Sequence, residues 1–81
     1  MAILNITLRG ASADYPRPVP FDMAEADLKR LAVEVVRSGE IPVLRRVSVD
    51  RRTFDSFVVD RISTHTGGQR LYLRPKVPFG E

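Results

Sequence analysis

Asp22-Met23-Ala24-Glu25-Ala26-Asp27-Leu28-Lys29-Arg30-Leu31-Ala32-Val33-Glu34-Val35-Val36-Arg37-Ser38-Gly39 is the one stretch of this chain that reads as a helix. Ala24, Leu28, Leu31, Ala32 and Val35 follow the 3.6-residue period and form one apolar stripe, with Glu25, Lys29, Arg30, Glu34 and Arg37 on the remaining surface. Asp22 and Glu25 have the spacing of a capping box, so the helix is expected to start at about Met23. Gly39 is its expected stop, because glycine takes the left-handed cap without steric cost. Glu25 with Lys29 and Arg30 with Glu34 stand four apart, pairs that contribute ~0.2–0.5 kcal/mol each. A single helix with one apolar stripe has to lie on something flat and apolar.

The flat layer is written on both sides of it. Upstream, Ala2 to Arg9 alternates with period two, with Leu4, Ile6 and Leu8 on one face and Asn5, Thr7 and Arg9 on the other. Between Ala11 and Pro20, prolines 16, 18 and 20 remove backbone donors, so no regular central strand is expected there and at most Val19 to Phe21 forms a short edge strand. Downstream, Pro42 to Val49 is expected to be a second strand, with Arg45 interrupting its inward face of Val43, Val47 and Val49. Asp50 to Thr53 reads as a polar turn, and Phe54 to Ile62, rich in β-branched and aromatic residues, as a third strand. Thr64-His65-Thr66-Gly67-Gly68 is a loop whose two glycines supply positive φ angles. Arg70 to Arg74 is the last strand, with Leu71 and Leu73 inward and Arg70, Tyr72 and Arg74 outward. The expected fold is a two-layer α+β domain spanning 1–74, one helix on a mixed sheet of four to five strands, followed by an extended tail, 75–81, containing Val77 and Phe79.

At 81 residues the chain has room for one core. A composition 43% hydrophobic and 28% charged, with mean hydropathy -0.14, fits a folded domain rather than a disordered chain or a membrane protein. No apolar run reaches the roughly 20 residues that span a bilayer, and the N-terminus does not read as a signal peptide, so a cytoplasmic location without membrane partners is expected. With no cysteine and one histidine, neither thiolate chemistry nor a cysteine or histidine metal site is expected, and no cofactor is implied. The serines lack a nucleophile motif and the aspartates lack metal-loop spacing, so catalysis is the least supported class.

The order strand, turn, helix, strands resembles the ubiquitin-like β-grasp family. Met1, Ile3, Thr7, Leu8 and Gly10 repeat the opening of ubiquitin at the same spacing, Ile41-Pro42 follows the helix as an Ile-Pro pair does there, and the final strand alternates leucines with polar residues before Arg74. The resemblance implies a β-grasp fold and a non-covalent interaction module, with Leu8, Val47 and Tyr72 where ubiquitin presents its apolar recognition patch. The C-terminal Phe79-Gly80-Glu81 lacks the Gly-Gly end of the conjugated modifiers, so conjugation is not expected.

The leading expectation is therefore a small non-catalytic adaptor that binds a protein partner through its open sheet face or its tail. An alternative follows from a net charge of +3 and a pI near 10.0: Arg9, Arg46, Arg70, Tyr72 and Arg74 on one sheet face would hold nucleic-acid phosphates while the ring stacks on a base. The Arg45-Arg46 and Arg51-Arg52 pairs read either as an anion site or as edge charges that discourage aggregation. His65 would need a neighbouring carboxylate such as Asp60 for acid–base work. Self-association through an edge strand near Arg52 to Ile62, or through Val77 and Phe79, is a further reading that these residues leave open.

Overall fold

The structure is a computed structural model that describes residues 1–76. The order of elements is β1 (Ile3–Leu8), β2 (Ala11–Asp14), α1 (Glu25–Ser38), a 3-10 turn (Pro42–Leu44), β3 (Val58–Ser63) and β4 (Gln69–Arg74). The strands form one mixed sheet in the order β2-β1-β4-β3, with β1 parallel to β4 in the centre and antiparallel pairs on either side. One helix on a four-stranded mixed sheet is the two-layer α+β arrangement expected, and it is compatible with a β-grasp. The expected tail beyond Lys76, with Val77 and Phe79, lies outside the described residues.

Alternation builds the shared core. Leu4, Ile6 and Leu8 of β1 and Leu71 and Leu73 of β4 are buried on one side of the sheet, together with Leu28, Ala32, Val33, Val35 and Val36 of α1. The buried helical stripe is wider than the periodicity suggests, because Val33 and Val36 are enclosed while Ala24 is exposed and Leu31 half-buried. Phe54 is fully buried in the same core and meets Phe57 edge-on, with ring centroids 4.9 Å apart.

The structure corrects the expected elements at four places. Ala11–Asp14 is a strand, because the three prolines all follow it, whereas Val19 makes only an isolated bridge to Ala2. The β1–β2 connection is a two-residue turn with φ of 51° at Arg9 and 82° at Gly10, the left-handed pair that matches the twist of a tight hairpin. The segment from Pro42 to Val49 is not a strand. Ile41 and Leu44 are buried and Val47 half-buried at a spacing of three, and the bonds Leu44 N to Ile41 O, Arg45 N to Pro42 O and Val47 N to Leu44 O wind the chain locally before the half-buried Val49. Arg45 consequently never has to point inward, and its Nε donates to Gly39 O at 2.9 Å. The third strand begins at Val58 rather than Phe54, since residues 51–56 form turns that carry Phe54 into the core.

The helix also begins later than the capping-box spacing implies. Its N-cap is Ala24, without a side-chain cap bond, and Gly39 at φ 78° is the C-cap. Arg61 of β3 holds the residues just before the helix: its Nη1 donates to Phe21 O at 2.6 Å and its Nη2 to Met23 O at 2.7 Å. Lys29 pairs with Glu25 at 3.1 Å as expected, but Arg30 reaches back to Asp27 at 3.0 Å rather than forward to Glu34.

Candidate interaction surface on the open sheet face

The sheet face turned away from α1 carries the residues of opposite parity to the core leucines. Register aligns Ile3 of β1, Arg70 of β4 and Ile62 of β3 in one row across three strands. The next row runs Asp14, Asn5, Tyr72 and Asp60 across all four strands. Adjacent strands lie about 4.8 Å apart, so each row presents neighbouring side chains. Ile3 is 42% exposed and Ile62 47%, two of the four large apolar side chains left open to water among the described residues.

The two arginines on this face are held by acids of the same face. Arg70 Nη2 donates to Asp14 Oδ1 at 2.8 Å, and its guanidinium carbon stands 5.5 Å from the centre of the Tyr72 ring. Arg74 Nε donates to Asp60 Oδ2 at 2.6 Å. Asn5 Nδ2 also donates to Asp14 Oδ1, at 3.0 Å, while Ser12 Oγ donates to Asn5 Oδ1 at 2.9 Å and Thr7 Oγ1 to Ser12 Oγ at 3.1 Å. The Asn5 bond is the largest influence holding Asp14 below its ordinary carboxylate value; desolvation opposes it and Arg70 adds to it. Arg70 is in turn held above its ordinary value, chiefly by its bond to Asp14.

The residues singled out from the sequence do not all converge here. Arg70, Tyr72 and Arg74 share the open face, and Arg9 sits at the adjoining β1–β2 turn. Arg46 is exposed but follows the 3-10 turn, outside the sheet. Leu8 is 4% exposed and belongs to the core, and Val47 is half-buried against that core, so neither forms one surface with Tyr72. The inward parity of Leu8 in the alternation already points to burial. The same alternation carries a signal for Ile3, which shares the parity of Asn5 and Thr7 and so belongs on the outer face. The roles of Asp14 and Asp60 have no local signal, because each depends on strand neighbours distant in sequence.

His65 is exposed in the β3–β4 loop, which closes through Thr64 N to Gly68 O at 2.8 Å and Gly67 N to Thr64 O at 3.0 Å. Only Gly67 of its two glycines has a positive φ. Asp60, the suggested partner of His65, is engaged by Arg74. The second arginine pair divides: Arg52 lies 3.9 Å from Asp55, whereas Arg51 lines a groove of about 500 Å³ beside α1 with Lys29, Arg30, Arg37, Glu25 and Asp55. Lys29 Nζ, bonded to Asp55 O at 3.1 Å and to Glu25, ties the floor of that groove together. Among the described residues no group of three His, Cys, Asp or Glu is placed to hold a metal ion, and no helix is long and apolar enough to cross a membrane. Comparison with protein-family models, curated proteins and solved structures finds no match to this chain.

Proposed function

We propose that the protein is a small non-catalytic interaction module of ubiquitin-like β-grasp type, binding a protein partner through its open sheet face. The observation that carries this reading is the row Ile3–Arg70–Ile62 beside Tyr72: two exposed isoleucines stand on either side of Arg70 at the centre, and Arg70 and Arg74 already form ion pairs with Asp14 and Asp60 within the molecule. Protein interfaces favour such centres, in which aromatic and apolar residues with arginine stems are desolvated and the remaining polar groups are satisfied. The nucleic-acid reading rests on Arg9, Arg46, Arg70, Tyr72 and Arg74 acting together. It draws less support, since Asp14 and Asp60 compete with phosphate for Arg70 and Arg74, and Arg46 is off the sheet.

A photoreactive residue in place of Ile62 tests the proposal by trapping a partner in cells, after which the identified protein is purified and its affinity measured directly. Binding is expected to persist at moderate salt, to weaken at least tenfold in Ile62→Glu and Tyr72→Ala, and to be unchanged in Arg51→Ala on the opposite layer. Equal affinity for all of these variants would overturn the assignment of the face.

A further inference from the structure

Among the described residues the sheet order leaves two strands with an unpaired edge, β2 and β3. We propose that a second copy of the chain pairs antiparallel with β2, about a twofold axis through Ala13, and that Val43 borders the same contact.

The backbone bonds identify which groups each edge offers. In β2, the tight turn pairs Leu8 with Ala11, and Tyr15 N donates to Leu4 O at 2.7 Å. Alternation then turns the backbone groups of Ala11, Ala13 and Tyr15 toward β1 and leaves the N–H and C=O of Ser12 and Asp14 facing outward. In β3, the bond from Thr64 N to Gly68 O sets the backbone groups of Val58, Asp60 and Ile62 toward β4, leaving those of Val59, Arg61 and Ser63 outward.

Symmetry then restricts the registers. A twofold axis perpendicular to the sheet keeps every side chain on its own face, so facing residues must have the same parity. For β3, the two registers that use most of the strand set either Asp60 against Asp60 of the partner subunit or Arg61 against Arg61 of the partner subunit, and like charges directly opposite are destabilising. The β3 edge is thereby defended against its own copy. For β2, an axis through Ala13 sets Ser12 against Asp14 of the partner subunit and Ala13 against its equivalent, with no like charges opposed. The outward groups of Ser12 and Asp14 then close two hydrogen-bonded pairs, and the small alanines suit the close spacing between them.

Val43 is an exposed apolar residue in the element next to β2. It is 60% exposed, and it lies in the 3-10 turn, which packs against β2. A second chain laid along β2 would cover it. The β2 edge borders the open face, and Ile62 on β3 lies at the opposite edge of the sheet, so Ile62 variants distinguish partner binding on that face from self-pairing at β2.

Sedimentation velocity over a concentration series up to the millimolar range tests the proposal. The wild type is expected to show a reversible monomer–dimer equilibrium. Ser12→Asp, which sets acid against Asp14 of the partner subunit, and Val43→Asp should each weaken dimerisation at least tenfold while keeping the wild-type circular dichroism spectrum. Ser12→Arg should strengthen it, and Ile62→Asp should leave it unchanged. A chain that stays monomeric throughout, or a dimer broken by Ile62→Asp but not by Ser12→Asp and Val43→Asp, would overturn the proposal.

Discussion

Arg70 on β4 reaches across β1 to Asp14 on β2, closing a 2.8 Å ion pair between strands that are not neighbours in the sheet. The bond passes beside Asn5, which donates to the same carboxylate oxygen. One face of the sheet is thus cross-linked by polar contacts while the other is held by its leucines.

That relationship sets a pH dependence. Asp14 is held below its ordinary carboxylate value, so its contribution is fully present above the unfolded value of about 3.9 and is lost as pH falls through the lower folded value. Both side chains are partly open to water, which screens the pair and keeps the contribution small. Urea midpoints of the wild type and Asp14→Asn should differ slightly near neutral pH and converge on acidification below about pH 4. Profiles that remain parallel would remove Asp14 from the acid limb.

The β1–β2 turn is expected to discriminate sharply between residues. At Gly10, φ is 82° and an added Cβ would meet nothing within 4 Å, so Gly10→Ala tests backbone strain alone and should cost about 1 kcal/mol. Arg9 at φ 51° occupies a position that asparagine tolerates better, so Arg9→Asn should raise stability by a few tenths of a kcal/mol. Chemical denaturation of the two variants checks both signs.

The uncapped helix start leaves room for improvement. Replacing Ala24 by Asp or Ser provides an oxygen for the free amides of the first turn and should stabilise by about 0.5–1.5 kcal/mol. A thermal shift of a few degrees upward is the readout, and no change would mean that the loop before Glu25 does not hold the cap geometry.

Arg61 links the β3 edge to the same loop through two carbonyls. Arg61→Ala should cost about 1 kcal/mol, given the exposure of the side chain, and Arg61→Lys should recover only part of it because an ammonium lacks the planar fork. Amide hydrogen exchange should quicken across residues 21–24 in both variants. Unchanged exchange there would show that the clamp does not order the loop.

Paired arginines should also be poor phosphate ligands. Fluorescence anisotropy with single- and double-stranded oligonucleotides at low salt is expected to show no saturable binding by the wild type. The double variant Asp14→Asn, Asp60→Asn frees Arg70 and Arg74 and should gain weak binding that salt removes. Tight, salt-sensitive binding by the wild type, lost in Arg70→Ala, would restore the nucleic-acid reading.

Short-range periodicity in the chain accounts for the elements that could be read without the structure. The alternation of Leu4, Ile6 and Leu8, the helical stripe around Leu28 and Ala32, and the left-handed stop at Gly39 each express a local preference, and together they require a helix on a sheet. Tertiary structure decided the elements in which local preferences compete. The valines of Val43 to Val49 suit a strand, yet burial of Ile41 and Leu44 at a spacing of three winds this segment into a turn, and Phe54 leaves the third strand to fill the core. It also decided the character of the open face. Alternation alone placed Arg70, Tyr72 and Arg74 outward, but Asp14 and Asp60 neutralise the arginines only because strand order and register bring them together. An ion pair between residues 56 apart in sequence is a property of that register, and no local pattern encodes it.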